Sequence, residues 1–305
     1  NVYDQMSKVA AQYNDGVLTN NTVFQDDNPF DFRQEMMRVD YQPSGAHRLT
    51  GRLVFDHYNL IEPGGTFISS QMPTVPTNRM RPGRNIQVNH YWTLKSNLVN
   101  EAKFNYSGNG QIIPPVGDRW KRATYGFQFP QLYEGGGNYA DSIPNASFSG
   151  GYASFSGASA SLISPTWDYS FSDNVTWIKG EHTVKAGYLG LYNTKDQNGR
   201  SEYVGNVAFN INRPGSTGNS FADALLGNFR TYSEAQLDPM GYFRYKQHEA
   251  FISDSWRVND RLSIEGGLRY TWQMPTITLG NNTTSFNPAI FNPATGKHSR
   301  PPCEG

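Results

Sequence analysis

Residues 261–273 read Arg-Leu-Ser-Ile-Glu-Gly-Gly-Leu-Arg-Tyr-Thr-Trp-Gln. Apolar residues recur at every second position, from Leu262 and Ile264 through Leu268 and Tyr270 to Trp272, with polar or charged residues between most of them. Because successive strand side chains point to opposite faces, the pattern predicts a strand with one apolar and one charged face. The stretch is about as long as a tilted strand that crosses a bilayer, whereas strands of soluble sandwiches are usually about half that length.

The same alternation recurs along the chain. Each copy pairs an apolar face with a polar and often charged face, which must be wet or packed against polar groups. The copies include stretches that begin at His47, Ile86, Leu98, Trp167 and, in a shorter form, Val207.

The connections between these stretches are of two kinds. The short ones carry turn-forming residues and predict hairpins; they are Pro43–Ala46, Lys95–Asn97, Lys179–Glu181 and Val258–Asp260. The long ones are rich in Gly, Pro, Ser and Asn; they are Leu60–Arg84, Gly108–Pro165 and Asp196–Glu202. Alternation of short turns with long loops is typical of outer-membrane barrels, whose short turns face the periplasm.

We therefore predict an all-β fold, an antiparallel transmembrane β-barrel segment of roughly ten strands with short periplasmic turns and long external loops. The five predicted pairs are 33–42 with 47–58, 84–93 with 97–107, 166–178 with 182–194, 203–212 with 229–237, and 243–258 with 261–274. Two short helices are also expected, at 1–14 and at 220–227, the second ending at a glycine. Beyond Met274 we expect a loop rich in Pro and Asn.

Composition narrows the function classes. Lys+Arg and Asp+Glu are equal at 26 each, so no basic excess suggests nucleic acid as a partner. No run approaches about 18 apolar residues, which argues against a transmembrane helix. Cys303 is the single cysteine, so neither an intramolecular disulfide nor a cysteine-based metal cluster is possible. Because no signal peptide follows Asn1 and no strand closes the end, we expect an interior piece of a longer protein.

Four motifs, in this order, support a family resemblance. They are Met37–Gln42, His182–Gly187, Gly218–Gly227 and, most informative, Ser253–Tyr270. From about Arg33 to Met274 the chain resembles the barrel of TonB-dependent outer-membrane receptors, in particular the Oar-like group. Members of that family carry a plug domain, a TonB-contacting segment and about twice as many strands, none of which is visible here. The resemblance therefore implies that residues 1–305 are part of one barrel domain whose plug and remaining strands lie outside this chain.

The resemblance also implies a function. It implies energised uptake of a large or scarce substrate, such as an oligosaccharide, a peptide or a siderophore, across the outer membrane of a Gram-negative bacterium. Outer-membrane lipid and the TonB complex would be the partners, and no cofactor or enzymatic activity is expected. Inward polar residues would line the lumen, namely Arg52, Glu101, Lys103, Lys185, Glu265 and Arg269.

The remaining candidate sites have weak signals. The six histidines lack the spacing of a helical zinc site, and Asp26, Asp27 and Asp31 lack that of an EF-hand. No Gly-x-Ser-x-Gly motif marks a nucleophile. Gly135–Ala140 only loosely fits a dinucleotide loop and is better interpreted as a flexible spacer.

The tract Phe148–Ser161 mixes Gly, Ser and Ala with spaced aromatics. Its rings, with Tyr152 and Phe155 as the candidate ligand-contacting residues, could stack on sugars with help from the flanking hydroxyls, or the tract could be a mobile external loop. Two alternatives to the receptor stay open at this point: a self-contained porin or adhesin barrel, and a secreted soluble all-β protein that binds or cleaves glycans. The side chains of four apolar residues distinguish the soluble protein from the membrane barrels, because a soluble sandwich would pack them under a second sheet; they are Leu262, Ile264, Leu268 and Tyr270.

Overall fold

The computed structural model describes residues 25–67, 71–280, 286–294 and 297–298. The predicted helix at 1–14 and Cys303 lie outside these ranges. The strands are β1 (Phe30–Ser44), β2 (His47–Glu62), β3 (Thr77–Met80), β4 (Gly83–Lys95), β5 (Leu98–Asn109), β6 (Gln111–Ile112), β7 (Asn145–Phe148), β8 (Ile163–Ser164), β9 (Thr166–Lys179), β10 (His182–Asn198), β11 (Asn206–Phe209), β12 (Thr231–Ser233), β13 (Met240–Asn259), β14 (Leu262–Gln273), β15 (Ile277–Leu279), β16 (Phe291–Asn292) and β17 (Lys297–His298). The helices are short, Arg122–Tyr125 and Ser220–Leu225, with single 3₁₀ turns at Ala158–Ala160 and Pro288–Ile290.

Eight long strands form one curled antiparallel sheet, which we call the wall. Their order is β1-β2-β4-β5-β9-β10-β13-β14, so each strand pairs with the next long strand along the chain. Two-residue connections join them in four hairpins at one end of the sheet. The long connections all lie at the opposite end, which confirms the predicted all-β barrel segment.

The register of the wall is staggered. His47 lies opposite Trp92, and Trp92 lies opposite Asn100, which is two residues beyond the start of its own hairpin arm at Leu98. The same two-residue offset recurs between the second and third hairpins and between the third and fourth. Two residues rise about 6.6 Å while two strand spacings cover about 9.6 Å, so the strands tilt by about 35°. This tilt is typical of membrane barrels.

Side-chain exposure in the wall is the inverse of that in a soluble sheet. Val88, Phe104 and Phe171 lie side by side on three central strands, and each is about 45% exposed (44, 45 and 46%). The polar side chains between them on the same strands are mostly half-buried. An apolar face left bare in the middle of a sheet requires an apolar solvent.

Tryptophans mark both ends of the apolar face. Trp92, Trp177 and Trp256 each lie within three residues of the strand end that leads into a hairpin turn. Trp167 lies ten residues from Trp177 on the same strand and face, which places these two rings ~27 Å apart along the normal of a sheet tilted by about 35°. That separation matches the apolar band of a membrane barrel, which is about 25 Å tall and bordered by aromatic girdles.

The diagnostic side chains of β14 are uncovered. Leu262, Ile264, Leu268 and Tyr270 are exposed, and no second sheet formed by the described residues packs on them. Within the described ranges, no helix is both long and apolar enough to cross a membrane.

The buried core lies in the long connections, which we call the loop module (residues 71–82, 110–165 and 199–239). All the buried hydrophobic side chains in the described part of the chain belong to it. One cluster is formed by Met72, Tyr125, Ile143, Ala146 and Phe155. A second is formed by Val75, Trp120 and Ala158. Apolar side chains are therefore exposed in the wall but buried in the loop module.

Two details of the predicted topology are wrong. The fourth pair, 203–212 with 229–237, does form antiparallel strands, β11 and β12, but they join β7 in a separate three-stranded sheet. They are too short to cross a bilayer, so the wall has eight long strands instead of about ten. Residues after Met274 do not run directly into a loop, because β15 pairs with β13 and continues the edge of the sheet.

Candidate ligand-binding cavity and polar wall face

A cavity of about 540 Å³ opens in the loop module. Its lining is almost entirely apolar and aromatic. Seven of the lining residues are phenylalanines: Phe127, Phe129, Phe148, Phe155, Phe209, Phe221 and Phe229.

Two structural elements hold three of these rings. Phe148 and Phe209 are register partners on the parallel strands β7 and β11, and their rings stack with centroids 5.2 Å apart. The helix Ser220–Leu225 contributes Phe221, and the Asn219 side-chain oxygen caps this helix by accepting hydrogen bonds from the backbone N–H groups of residues 221 and 222 (2.9 and 3.1 Å). Gly227, at φ +76°, then reverses the chain after the helix, as predicted.

The two predicted ligand-contacting residues lie at this cavity. Phe155 is buried and lines it, held by a pair of backbone hydrogen bonds with Ala146 (2.8 and 3.1 Å). Tyr152 is not a lining residue, but its ring stacks on the lining residue Phe221 at 5.6 Å, and its hydroxyl accepts a hydrogen bond from Asn219 Nδ2 at 2.6 Å. Ligand contact by these two residues stays a prediction.

Each glycine-rich tract has a packed part, so the first is not a flexible spacer throughout and the second is not a mobile loop throughout. A Cβ atom at Gly137 would lie 2.4 Å from the ring of Tyr203, which is fully buried. A Cβ atom at Gly157 would lie 1.9 Å from the carbonyl oxygen of Ile143. These glycines permit close approach of the backbone to neighbouring atoms, and the tract around Phe155 forms part of the core.

Most polar groups near the cavity have partners within the protein, although Arg122 Nη2 is buried without a hydrogen bond. The Tyr232 hydroxyl donates to Glu234, and burial together with that carboxylate raises the pKa of Tyr232 to about 12. Glu234 also accepts from the backbone N–H groups of Leu132 and Tyr133 (3.0 and 2.8 Å). The Arg122 guanidinium stacks on Phe129 at 5.0 Å and donates from Nη1 to the carbonyl oxygen of that residue at 2.7 Å, while burial lowers the pKa of Arg122. No charged side chain is among the lining residues.

The polar face of the wall carries all six residues predicted to line a lumen. The register places Arg52, Glu101, Lys103, Lys185, Glu265 and Arg269 on the face opposite Phe104. Three of them form ion pairs: Lys103 pairs with Glu101 at 3.5 Å, and Arg269 pairs with Glu249 at 2.6 Å. Their role as lumen residues stays a prediction.

Arginines concentrate at one edge of that polar face. Arg38 and Arg52 lie directly opposite each other on β1 and β2, beside Arg48, in a recess of about 340 Å³. Asp40 accepts hydrogen bonds from Arg38 Nε (2.8 Å) and the Thr50 hydroxyl (2.7 Å), and lies 3.3 Å from Arg48 Nη2. These residues contribute three guanidinium groups and one carboxylate, which gives them an excess of positive charge.

Five of the six histidines and two of the three candidate aspartates have structural partners. His182 contacts Asp254 at 2.7 Å and stacks on Trp256, and His47 stacks on Trp92. Asp26 pairs with Arg119 at 2.6 Å, and Asp31 lies 3.4 Å from His57. The described ranges contain no group of three or more His, Cys, Asp or Glu side chains arranged to hold a metal ion.

Sequence reasoning missed most of the cavity. Its phenylalanines are spread from Phe127 to Phe229 and follow no strand or helix period. The available signal was the number of phenylalanines in connections otherwise rich in Gly, Pro and Ser. Phenylalanine in such segments indicates packing, because a solvated loop gains nothing from exposed rings.

Comparison with known proteins places this wall in a family. Residues 2–303 match the outer membrane beta barrel domain family, and no curated protein matches the sequence. Among solved structures, "Copper transporter OprC" is 13% identical with a TM-score of 0.42, and the match covers 79% of this chain and 28% of that one. A complex of P. aeruginosa FpvA with a heterologous pyoverdine and iron is 12% identical with a TM-score of 0.46, and the match covers 82% and 32%. This chain therefore spans about a third or less of the length of either protein. The chain belongs to the outer membrane beta barrel domain family, and its place is the outer membrane of a Gram-negative bacterium.

Proposed function

We propose that the chain is part of a TonB-dependent, Oar-like receptor that takes up a large or scarce substrate with energy supplied through TonB. The observation that carries the proposal is the position of the cavity. It lies in a folded module at the loop end of a membrane wall, away from the short turns. A folded module with a cavity is suited to capture of a particular substrate, whereas a general diffusion pore needs only an open lumen.

The polar face of the wall would form the lumen. The six residues predicted from sequence share that face, with ion pairs between some of them and their neighbours. Charged side chains on one face and bare apolar side chains on the other are the arrangement of a barrel that separates water from lipid. In this proposal the short turns face the periplasm and the loop module faces the medium.

The wall would be completed by strands outside this chain. In the described part of the chain, β1 pairs only with β2, and β14 pairs only with β13. Both edges therefore present unpaired backbone groups, which are costly in lipid. We infer that residues 1–305 belong to one barrel domain that also has further strands and a plug, and that its chemistry is transport rather than catalysis.

Uptake from the medium tests the proposal. Three strains of the native host would be compared, the wild type, a strain that lacks this gene and a strain that lacks TonB, and the compounds left in spent medium measured by mass spectrometry. We expect at least one oligosaccharide, peptide or siderophore to be depleted by the wild type and left by both mutants. A compound left only by the gene deletion strain would indicate a passive porin, and identical media from all three strains would contradict a transport role.

A further inference from the structure

The phenylalanine-lined cavity is concave and already formed. Its walls come from β7, β11, the helix Ser220–Leu225 and the segment 127–130. Its rings support one another, since Phe148 stacks on Phe209 and Phe127 contacts Phe129 edge to face at 5.4 Å. These ring–ring contacts hold the side chains in place around the cavity. The volume of about 540 Å³ lies within the range of small-molecule sites, roughly 300–1,000 Å³.

From this cavity we infer the chemical class of the substrate: it carries a neutral aromatic group, and this group binds between the phenylalanine rings. The inference rests on the proposed function in one respect: it assumes that the molecule bound in the cavity is the transported substrate. Aromatic rings gain from burial and from stacked or edge-to-face contacts with other rings, and such contacts are worth about 0.5–1.5 kcal/mol beyond the burial itself.

The charge of the lining selects against ionised groups. No Lys, Arg, Asp or Glu side chain lines the cavity. The hydroxyl of Tyr232 donates to Glu234. Arg122 lies outside the lining and donates from Nε and Nη1 to the carbonyl oxygens of Ser142 and Phe129, while its Nη2 is buried without a hydrogen bond. A carboxylate placed among the rings would lose its hydration without gaining a partner, which is costly. The bound group is therefore uncharged.

The mouth of the cavity is apolar as well. Leu225, Phe229 and Phe129 belong to the lining, yet they are 63, 48 and 43% exposed. Side chains that are both lining and exposed lie at an opening, so an aromatic group can enter from solvent. The ligand remains in contact with apolar surface from the mouth to Phe155, which is buried.

Binding of 5-fluoroindole, a neutral and water-soluble aromatic probe, tests the inference. The intact protein would be placed in lipid nanodiscs, and binding followed by ¹⁹F NMR line broadening after subtraction of the signal from empty nanodiscs. We expect saturable binding to the wild type. Ala224→Trp places an indole in the cavity from the helix, so it should weaken binding about tenfold or more, a loss of about 1.4 kcal/mol.

Two controls keep the result interpretable. Leu226→Trp adds the same side chain to the end of the same helix at an exposed position outside the lining, and it should bind the probe like the wild type. Protection of the loop module from protease would show that both variants fold. If Ala224→Trp does not fold, Ala224→Met fills less of the cavity and takes its place. The anionic analogue 5-fluoroindole-2-carboxylate should bind about tenfold more weakly than 5-fluoroindole, because its carboxylate finds no partner.

Several outcomes would overturn the inference. The first is a wild-type signal no larger than that of empty nanodiscs, which is expected if another segment of the intact protein fills the cavity. The second is unchanged probe binding in folded Ala224→Trp. The third is tighter binding of the carboxylate analogue than of 5-fluoroindole. These measurements use purified protein without TonB, so they are independent of the uptake experiment. Probe binding without TonB-dependent uptake would remove the proposed function and leave the cavity assignment standing.

Discussion

The wall and the loop module use apolar residues in opposite ways. In the wall, Phe104 and Phe171 are bare and their polar neighbours are half-covered. In the loop module, Ile143 and Val204 are fully buried beneath polar and glycine-rich segments. The physical force is the same in both regions, since apolar surface leaves water. The difference is the medium that receives it, which is lipid for the wall and protein for the loop module.

The largest effect should come from the loop-module core. Ile143→Ala leaves a cavity in close-packed protein, which should lower the stability of the module by about 2–5 kcal/mol. Leu226→Ala, at a side chain 66% exposed, should change it by less than about 0.5 kcal/mol. Hydrogen exchange of loop and wall peptides measures both. If Ile143→Ala loosens the wall as much as the loop module, the two regions are one cooperative unit and the comparison fails.

A charge on the apolar face should have the next largest effect. Phe104→Arg places a cation against lipid and should cost about 2–4 kcal/mol if the residue lies near the bilayer midplane. Asn105→Arg, one residue away on the polar face, is the matched control and should cost less than about 1 kcal/mol. Reversible unfolding from lipid vesicles gives both values. Equal costs would show that the two faces of this strand do not meet different solvents.

The loop module should also respond to alkaline pH. The folded pKa of Tyr232 is about 12, above its ordinary value near 10, because burial and Glu234 disfavour the phenolate. A raised pKa contributes stability that is complete below pH 10 and is lost as the pH rises from about 10 to 12. Tyr232→Phe should reduce this loss, as followed by hydrogen exchange of loop peptides. An unchanged pH profile in the variant would assign the loss to other groups, with Tyr203 the first to test.

The smallest effect should come from an ion pair on the polar face. Arg269 lies 2.6 Å from Glu249, but its side chain is largely exposed. A double-mutant cycle with Arg269→Ala and Glu249→Ala should give a coupling of about 0–1 kcal/mol that weakens with salt. A coupling energy of several kcal/mol would mean that this ion pair is much less exposed to water than one on the wall of a water-filled lumen.

Sequence predicted the wall well because alternation and turn chemistry are local. The pattern around Leu262 and Leu268 specifies a strand with two different faces, and Gly180 lies in a turn that favours its φ of +58°. The number of long strands was overestimated for the same reason. The segments at 206–209 and 231–233 alternate and pair locally, and only their short length and their contact with β7 exclude them from the wall.

The loop module could not be derived in this way. Its core joins residues far apart in the chain, as when Tyr203 packs against Gly137 or Thr74 donates to the carbonyl oxygen of Ser156 at 2.7 Å. No period in the sequence encodes such contacts, and the abundance of Gly and Ser argued for mobility. The outward sign of packing was the number of phenylalanines.

The two-residue stagger between hairpins fixes a dimension of the barrel. A strand inclined by about 35° occupies about 5.9 Å of circumference instead of about 4.8 Å. Eight such strands therefore account for ~47 Å of perimeter, and each further hairpin in the same register would add ~12 Å. The width of the opening is in this sense set by the backbone: substitutions in the lumen can narrow or recharge the passage, but only a change in strand number or stagger can resize it.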